Sequence, residues 1–221
     1  MTTMPTTAAA LLRNAAVVFW DFDGVIKESV SVKTDAFVRL FSAYGPEIAQ
    51  RVREHHEGHG GLSRFEKIPI YLSWVGEEAG ADKVSELCDE FSRLVMQAVI
   101  DSAWVPGVRE YLLANGSSQR FVLVTATPQD EIETILRVLD LRECFVEIHG
   151  APTAKRAAVA DALRRLQCAP ADAIGVGDSG TDLDAAAANG VPFLLRRTPL
   201  NRDIQQRYTG PSFDDLGVTH S

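Results

Sequence analysis

Short apolar runs that alternate with helical patterns constrain the fold of this 221-residue chain more than any other feature. Four runs are predicted to be buried strands: 120–127, 144–150, 173–178 and 191–197. The residues between them have the period of amphipathic helices, and in 154–167 one apolar stripe is formed by Ala158, Val159, Ala162, Leu163 and Leu166. This alternation predicts an α/β protein with a parallel sheet covered by helices on both faces.

A further apolar run, residues 16–20, is separated from the other four by a long segment that shows helical patterns only. The segment has about four predicted helices, which is too many for one crossover between neighbouring strands. We therefore interpret residues 28–104 as an inserted all-helical domain, and residues 1–27 and 105–221 as a doubly wound core domain.

Composition and charge limit the partners of the chain. The formal net charge is -8, and no run of Lys and Arg interleaved with aromatic residues occurs, so we expect neither nucleic acid nor an anionic membrane as a partner. Residues 1–16 have no basic leader, and their apolar piece is interrupted by Arg13 and Asn14. We therefore expect no secretion signal, no membrane span and a cytoplasmic location.

Carboxylates follow two of the predicted strands. Asp21 and Asp23 end the first run, and alternate strand residues point the same way, so both should face one spot. Asp178 ends a later run, and Asp182 lies in the first turn of the next helix. Because ligands bind beyond the carboxyl ends of parallel strands, we expect the four carboxylates to converge there. Buried acids are rare unless paired or metal-bound, which predicts a divalent cation; for the first pair the alternative is an acidic turn bent at Gly24.

Two other predicted strands end near residues that suit an anion. Thr125 lies at a strand tip, and Thr127, Pro128 and Asp130 predict the N-cap, first turn and capping-box acid of the next helix. A helix N-terminus behind a hydroxyl group can bind phosphate, although a threonine there can also be a cap alone. Lys155 lies in the first turn of a later helix, where a cation opposes the helix dipole. A solvated lysine is the alternative at this position.

Gly175, Gly177 and Gly180 form a Gly-x-Gly-x-x-Gly pattern between a strand and a helix, which also fits a dinucleotide site. Arg196 and Arg197 lie roughly where a residue that contacts the adenosine ribose would fall. Against this interpretation, an aspartate would face the pyrophosphate without a compensating charge. The residues after the arginines are also too few for the second half of a dinucleotide-binding fold.

Four motifs together resemble the haloacid dehalogenase superfamily of hydrolases. They are DFDGV at residues 21–25, Thr125, Lys155, and GDSGTD at residues 177–182, in the family's order and each at a predicted strand end. The resemblance spans residues 16–197, and its first and fourth motifs are the specific ones. It implies a Rossmann-like doubly wound core with an inserted helical cap of the C1 type, at the place where the helical patterns already indicate an insertion.

The resemblance also implies chemistry. Dehalogenase members lack the second aspartate of the first motif, so Asp23 favours phosphoryl transfer and a Mg²⁺-dependent phosphatase. Asp21 would attack phosphorus to give an aspartyl-phosphate, and Asp23 would protonate the leaving oxygen and then activate water. Asp23 would then have to hold a proton in the resting complex, which neighbouring carboxylates favour.

The resemblance assigns the remaining site residues as follows. Mg²⁺ would be held by Asp21, the main-chain carbonyl of Asp23 and Asp178, with Asp182 orienting its waters. The phosphoryl oxygens would be bound by Thr125, Lys155 and backbone amides such as that of Ala126.

The segment REHHEGHGGLSRFEK, residues 53–67, is a basic loop within the predicted cap. It is similar to the cap loop of phosphatases of the phosphoglycolate and sugar-phosphate type, which makes His59, Gly61, Arg64 and Lys67 candidate substrate-binding residues. The alternative is an exposed turn whose charges are only solvated. We expect a small phosphorylated metabolite as substrate and a monomer or homodimer. A phosphomutase and a non-enzymatic phosphate-binding module are the alternative functions.

Overall fold

The computed structural model describes residues 8–217, and a parallel sheet lies at its centre. The strands are β1 (Val17–Trp20), β2 (Arg120–Pro128), β3 (Phe145–Ala151), β4 (Ala173–Gly177), β5 (Phe193–Arg196) and β6 (Ser212–Phe213). Their order in the sheet is β3-β2-β1-β4-β5-β6, and all pairs are parallel. The predicted α/β class with a parallel sheet is confirmed.

Helices cover both faces of this sheet. They are α1 (Ala8–Asn14), α2 (Val30–Phe41), α3 (Pro46–Gly58), α4 (Arg64–Trp74), α5 (Ala81–Asp101), α6 (Val108–Asn115), α7 (Gln129–Val138), α8 (Lys155–Arg165), α9 (Gly180–Ala188) and α10 (Arg202–Arg207). Helices α2 to α5 come between β1 and β2, and we call them the cap helices. The domain bounds at residues 28 and 104 stay a prediction, and the core domain's outermost residues, 1–7 and 218–221, lie outside the described range.

Strand β1 is buried on both faces because its neighbours cover it from two sides. Val17 and Phe19 pack with α8 and α9, whereas Val18 and Trp20 belong to a second apolar cluster that includes α6, α7 and residues of the cap helices. All four side chains are at most 3% exposed. A central strand with no polar face explains why the first run is continuously apolar.

The register of the sheet positions the candidate site. Trp20, the last residue of β1, lies opposite Leu123 of β2 and Val176 of β4. Strands β1 and β4 therefore end at the same edge of the sheet, where Asp21 follows Trp20 and Asp178 follows Gly177.

The prediction that Thr127 caps the following helix is wrong. Strand β2 continues through Pro128, which pairs with Ala151 of β3 after a register shift, and α7 begins at Gln129 without a side-chain cap. Pairing with β3 keeps these residues extended, so tertiary structure overrides the local capping signal. Asp130 therefore has no capping-box role, and the Thr127 hydroxyl is free to face the site.

Within residues 8–217, no helix combines the length and the apolar character that a membrane span requires. The expected absence of a leader concerns residues 1–16, of which the first seven lie outside the described range.

Candidate active site

Three carboxylates meet at the carboxyl edge of the sheet. Asp21 follows β1, Asp178 follows β4, and Asp182 lies in the first turn of α9; each offers an oxygen within 4.8 Å of the others. Burial raises the pKa of Asp21 to about 7, Asp182 adds to the effect, and Lys155 opposes it. The pKa of Asp178 is raised well above its ordinary value, first by burial and then by the other two carboxylates. The cluster offers hard oxygen ligands and has more negative than positive charge, and both properties fit a site for Mg²⁺.

Lys155 lies between two of these acids. Its Nζ is 2.8 Å from Asp21 Oδ2 and 2.6 Å from Asp182 Oδ1. Only 8% of the side chain is exposed, so Lys155 is not a solvated surface lysine. Burial on its own would lower its pKa, but Asp182 and Asp21 raise it overall, which keeps the ammonium charged. The helix dipole disfavours a cation in the first turn of α8, and the buried contacts of Lys155 with the two carboxylates compensate for this.

Asp182 is held in place by a capping box that the sequence interpretation did not identify. Ser179 N and Ser179 Oγ donate to Asp182 Oδ2 at 3.1 Å and 2.5 Å. A Cβ atom on Gly177 would lie 2.2 Å from Asp182 Cβ, so only glycine fits there. The signal that could have found the box is Ser179 three residues before an acid at the start of a helix.

The arginines that suggested a dinucleotide site are already paired. Arg196 makes a bidentate ion pair with Glu28, and Arg197 makes one with Asp214. The close contact of Gly177 with Asp182 also explains why a glycine is needed at this position without a bound pyrophosphate.

Asp23 lies beside the acidic cluster but has different partners. Its Oδ1 accepts from Ser29 Oγ at 2.6 Å, and its Oδ2 accepts from Lys33 Nζ at 2.5 Å and Thr127 Oγ1 at 3.2 Å. Lys33 Nζ also donates to Thr127 Oγ1 at 2.7 Å. No motif or spacing in the sequence indicates Lys33 as a site residue. It lies near the N-terminus of α2, where a cation is unfavourable to the helix dipole, as at Lys155.

The expectation that neighbouring carboxylates favour a proton on Asp23 is wrong. Burial alone would raise its pKa, but the Lys33 ammonium and the hydrogen bonds from Lys33, Ser29 and Thr127 lower the pKa overall. The arrangement therefore favours the carboxylate form of Asp23.

Gly24 makes the bend that was considered as an alternative, and the bend serves the site. Its φ of +74° is in the left-handed region, and a Cβ atom there would lie 2.2 Å from Asp178 Oδ2. The acidic turn and the carboxylate cluster are therefore parts of one structure.

Thr125 and Ala126 lie at the end of the neighbouring strand β2. Thr125 is 1% exposed, and its Oγ1 accepts a hydrogen bond from Thr127 N at 3.2 Å. Thr125, Ala126 and Lys155 line a cleft of about 470 Å³ that also borders residues Gly61 to Ser63. This cleft joins the proposed phosphate-binding residues to the cap loop.

The cap loop contacts the core at Gly61. A Cβ atom on Gly61 would lie 1.6 Å from Thr181 Oγ1 and 2.7 Å from Ser179 Oγ, so the loop lies directly on the start of α9. His59 is exposed, and its Nδ1 is 2.9 Å from His55 O. His59 borders a second cleft, of about 300 Å³, which Asp178 also lines.

Arg64 and Lys67 are buried, so the alternative of an exposed turn with solvated charges does not hold for these two residues. Arg64 makes two hydrogen bonds of 2.7 Å to Glu131 of α7 and is 5% exposed. Lys67 is fully buried, and its Nζ is 2.8 Å from His56 Nδ1. Arg64 therefore joins the cap helices to the core. The substrate-binding roles of Arg64, Lys67, His59 and Gly61 stay predictions.

Comparison with known proteins identifies similar sequences and folds. A family model described as haloacid dehalogenase-like hydrolase matches residues 15–190. No curated protein matches the sequence at a significant level. Similar solved structures include CbbY from Rhodobacter sphaeroides in complex with xylulose-(1,5)-bisphosphate, at 18% identity over 93% of this chain and 96% of that one, with a TM-score of 0.75.

Two other structures have comparable similarity. β-Phosphoglucomutase from Clostridium difficile is 19% identical over 91% of this chain and 92% of its own, with a TM-score of 0.73. A candidate phosphoglycolate phosphatase from Lactobacillus plantarum is 18% identical over 92% and 96%, with a TM-score of 0.72. At these identities the structures share the fold with this chain.

Proposed function

Because this chain belongs to the haloacid dehalogenase-like hydrolases, we propose that it is a Mg²⁺-dependent phosphatase that hydrolyses a small phosphate monoester through an aspartyl-phosphate. The observation that carries the proposal is the convergence of Asp21, Lys155, Asp178 and Asp182 at one edge of the sheet, with Asp23 beside them. A cytoplasmic location and a monomer or homodimer complete the proposal.

Asp21 is the proposed nucleophile. Its two oxygens are held by different donors, since Phe22 N donates to Oδ1 at 2.8 Å and Lys155 Nζ lies 2.8 Å from Oδ2. These contacts hold the carboxylate in one orientation, which lowers the entropic cost of reaching the reactive geometry. Lys155, Thr125 and the Ala126 amide would bind the phosphoryl oxygens, where negative charge is stabilised in the transition state.

Asp23 is the proposed proton carrier for the leaving oxygen. Its contacts with Lys33, Ser29 and Thr127 fix its orientation, and they also favour the carboxylate form. A phosphate dianion that arrives beside Asp23 would raise its pKa by like-charge repulsion. We therefore propose that Asp23 takes up a proton from solvent when substrate binds and donates it to the leaving oxygen as the P–O bond breaks. It then accepts a proton from the water that hydrolyses the aspartyl-phosphate.

Mg²⁺ would be held by Asp21, Asp178 and the main-chain carbonyl of Asp23, and Asp182 would orient its waters. The ion would supply the positive charge that a phosphate dianion needs. Within residues 8–217, the ammonium groups paired with the four carboxylates of the site are those of Lys155 and Lys33. The remaining negative charge would repel the substrate without a cation.

Turnover of p-nitrophenyl phosphate tests this proposal. We expect turnover with Mg²⁺, none with excess chelator, and recovery when Mg²⁺ is restored. Asp21→Asn should remove activity, whereas Asp35→Asn, at a cap residue with a 69% exposed side chain, should keep it. Hydrolysis that continues in chelator, or in Asp21→Asn, would contradict the mechanism.

A phosphomutase is the second candidate, because one of the similar structures is a β-phosphoglucomutase. It would use the same aspartates but return the phosphoryl group to a sugar. Product analysis with a hexose phosphate separates the two, since a phosphatase releases inorganic phosphate and a mutase yields an isomer. A non-enzymatic binding module would show neither product.

A further inference from the structure

A small cavity lies between the cap helices and the core, on the side of Asp23 that faces the cap. Its volume is about 30 Å³, and we call it the cap cavity. Its polar lining residues are Asp23, Lys33, His56, Arg64 and Thr127. Asp23 is the proposed proton donor to the leaving oxygen, so the alcohol part of a substrate would extend toward this cavity. The cavity has room for a group of only a few atoms.

The charges around the cap cavity do not balance. Lys33 is paired with Asp23, and Arg64 is paired with Glu131. Lys67 is fully buried directly behind the cavity wall, and no carboxylate of residues 8–217 lies within 4.0 Å of its Nζ. Buried charges are normally paired, because an isolated ammonium in the interior is strongly destabilised. Burial lowers the pKa of Lys67 to about 7, so below that pH the cap holds a buried cation with no carboxylate of the described residues in direct contact.

His56 connects this cation to the cavity. Lys67 Nζ lies 2.8 Å from His56 Nδ1, and the His56 ring packs at 4.9 Å between centroids on Phe37, which also lines the cavity. Burial, followed by the charge of Lys67, lowers the pKa of His56 well below its ordinary value, so the ring is neutral. When Lys67 is protonated it can only donate, so Nδ1 accepts and the ring hydrogen lies on Nε2. Among the described residues this Nε2–H has no acceptor.

On the basis of the proposed phosphatase function, we propose that the cap cavity binds a second anionic group of the substrate, a carboxylate carried by the alcohol part. His56 Nε2–H donates to that carboxylate, and Lys67 behind it supplies the missing counter-charge. Lys33 and Arg64 line the same cavity, and each is already paired with a carboxylate. The small volume favours a carboxylate one or two carbon atoms from the phosphate ester over a second phosphate group.

Steady-state kinetics with matched substrates test this assignment. The pair is 2-phosphoglycolate and ethyl phosphate, which have leaving groups of similar size with and without a carboxylate; fructose 1,6-bisphosphate tests a second phosphate. The variants are Lys67→Met, which removes the charge and keeps an unbranched chain, and His56→Phe, which removes the donor and keeps a ring. Lys83→Met, a half-exposed cap lysine, is the control.

We expect the wild-type protein to prefer 2-phosphoglycolate over ethyl phosphate in kcat/KM. Lys67→Met and His56→Phe should each reduce this preference by about tenfold or more, mainly through KM, as expected for loss of a charged hydrogen bond. Lys83→Met should leave the preference unchanged. Thermal unfolding of each variant shows whether it is folded.

Each other outcome has a defined meaning. Equal kcat/KM values for 2-phosphoglycolate and ethyl phosphate, or equal losses on both in the two variants, would overturn the cap-cavity assignment and leave the phosphatase function standing. A higher kcat/KM for fructose 1,6-bisphosphate than for 2-phosphoglycolate would overturn the proposal that the second anionic group is a carboxylate. Absence of Mg²⁺-dependent turnover of all three esters and of p-nitrophenyl phosphate would refute the phosphatase function itself.

Discussion

Replacement of Lys67 by Met should stabilise the protein at pH 6, and the gain should decrease as the pH rises. Burial first, and then the nearby Lys33 charge, lowers the pKa of Lys67 from its usual 10.5 to about 7. This change corresponds to a stability penalty of about 5 kcal/mol when the lysine must be charged in the folded state. Met fills the same space without a charge, but it leaves His56 Nδ1 without its donor, at a cost of about 1–2 kcal/mol. The expected net gain at pH 6 is about 3 kcal/mol.

The direction of the pH effect follows from the two protonation states. Below pH 7 the Lys67 amine is protonated in both folded and unfolded protein, so the full penalty applies. Between pH 7 and 10.5 the folded protein holds it neutral while the unfolded chain still binds the proton, so wild-type stability rises with pH relative to Lys67→Met. At pH 9 the penalty falls to about 2 kcal/mol, which nearly cancels the gain of the variant.

Urea unfolding at pH 6 and pH 9 measures both quantities. The matched control is Lys83→Met, because Lys83 has a 42% exposed side chain and a loose ion pair with Glu77 at 3.8 Å. Its stability should change by less than about 0.5 kcal/mol at either pH. A Lys67→Met variant that is less stable than wild type at pH 6, or a difference that does not depend on pH, would refute the reasoning.

Two further predictions concern contacts between the cap helices and the core. Gly61→Ala should lower kcat/KM by about tenfold or more, because the new Cβ would clash with Thr181 and displace the cap loop. Gly58→Ala is the control and should leave kcat/KM unchanged, because a Cβ there meets nothing within 4 Å. Equal losses in the two variants would argue against the contact between Gly61 and Thr181. Glu131→Gln should lower the free energy of unfolding by about 3 kcal/mol, because it leaves the buried Arg64 charge without its carboxylate, and urea unfolding measures the loss. Glu133→Gln, which breaks a more exposed pair with Arg142, should lower it by less than about 1 kcal/mol, and equal effects would contradict this account.

The sequence was informative about the sheet because strand positions and strand ends are local properties. Val17 to Trp20 form a run buried on both faces, and the polar residues that follow each strand meet at one edge because the sheet is parallel. The positions of Asp21, Asp178 and Lys155 could therefore be anticipated from the order of the elements.

The partners of individual side chains could not be anticipated in the same way. Thr127 and Lys33 are 94 positions apart in sequence, yet both bind Asp23, and no periodicity specifies such a pair. The protonation of Asp23 was misjudged because its acidic neighbours are visible in the sequence motifs and its basic neighbour is not. Arg64 and Glu131 meet for similar long-range reasons, since hydrophobic patterns indicate which face is buried but not which charges pair across it.

The central claim is that Asp21 carries the phosphoryl group during turnover. Rapid acid quenching after mixing with Mg²⁺ and a radiolabelled phosphate ester, followed by peptide mapping, tests it most directly. We expect label on the peptide that contains Asp21, release of that label by hydroxylamine, and no label in Asp21→Asn. Label on another residue, or a labelled Asp21→Asn protein, would contradict the account.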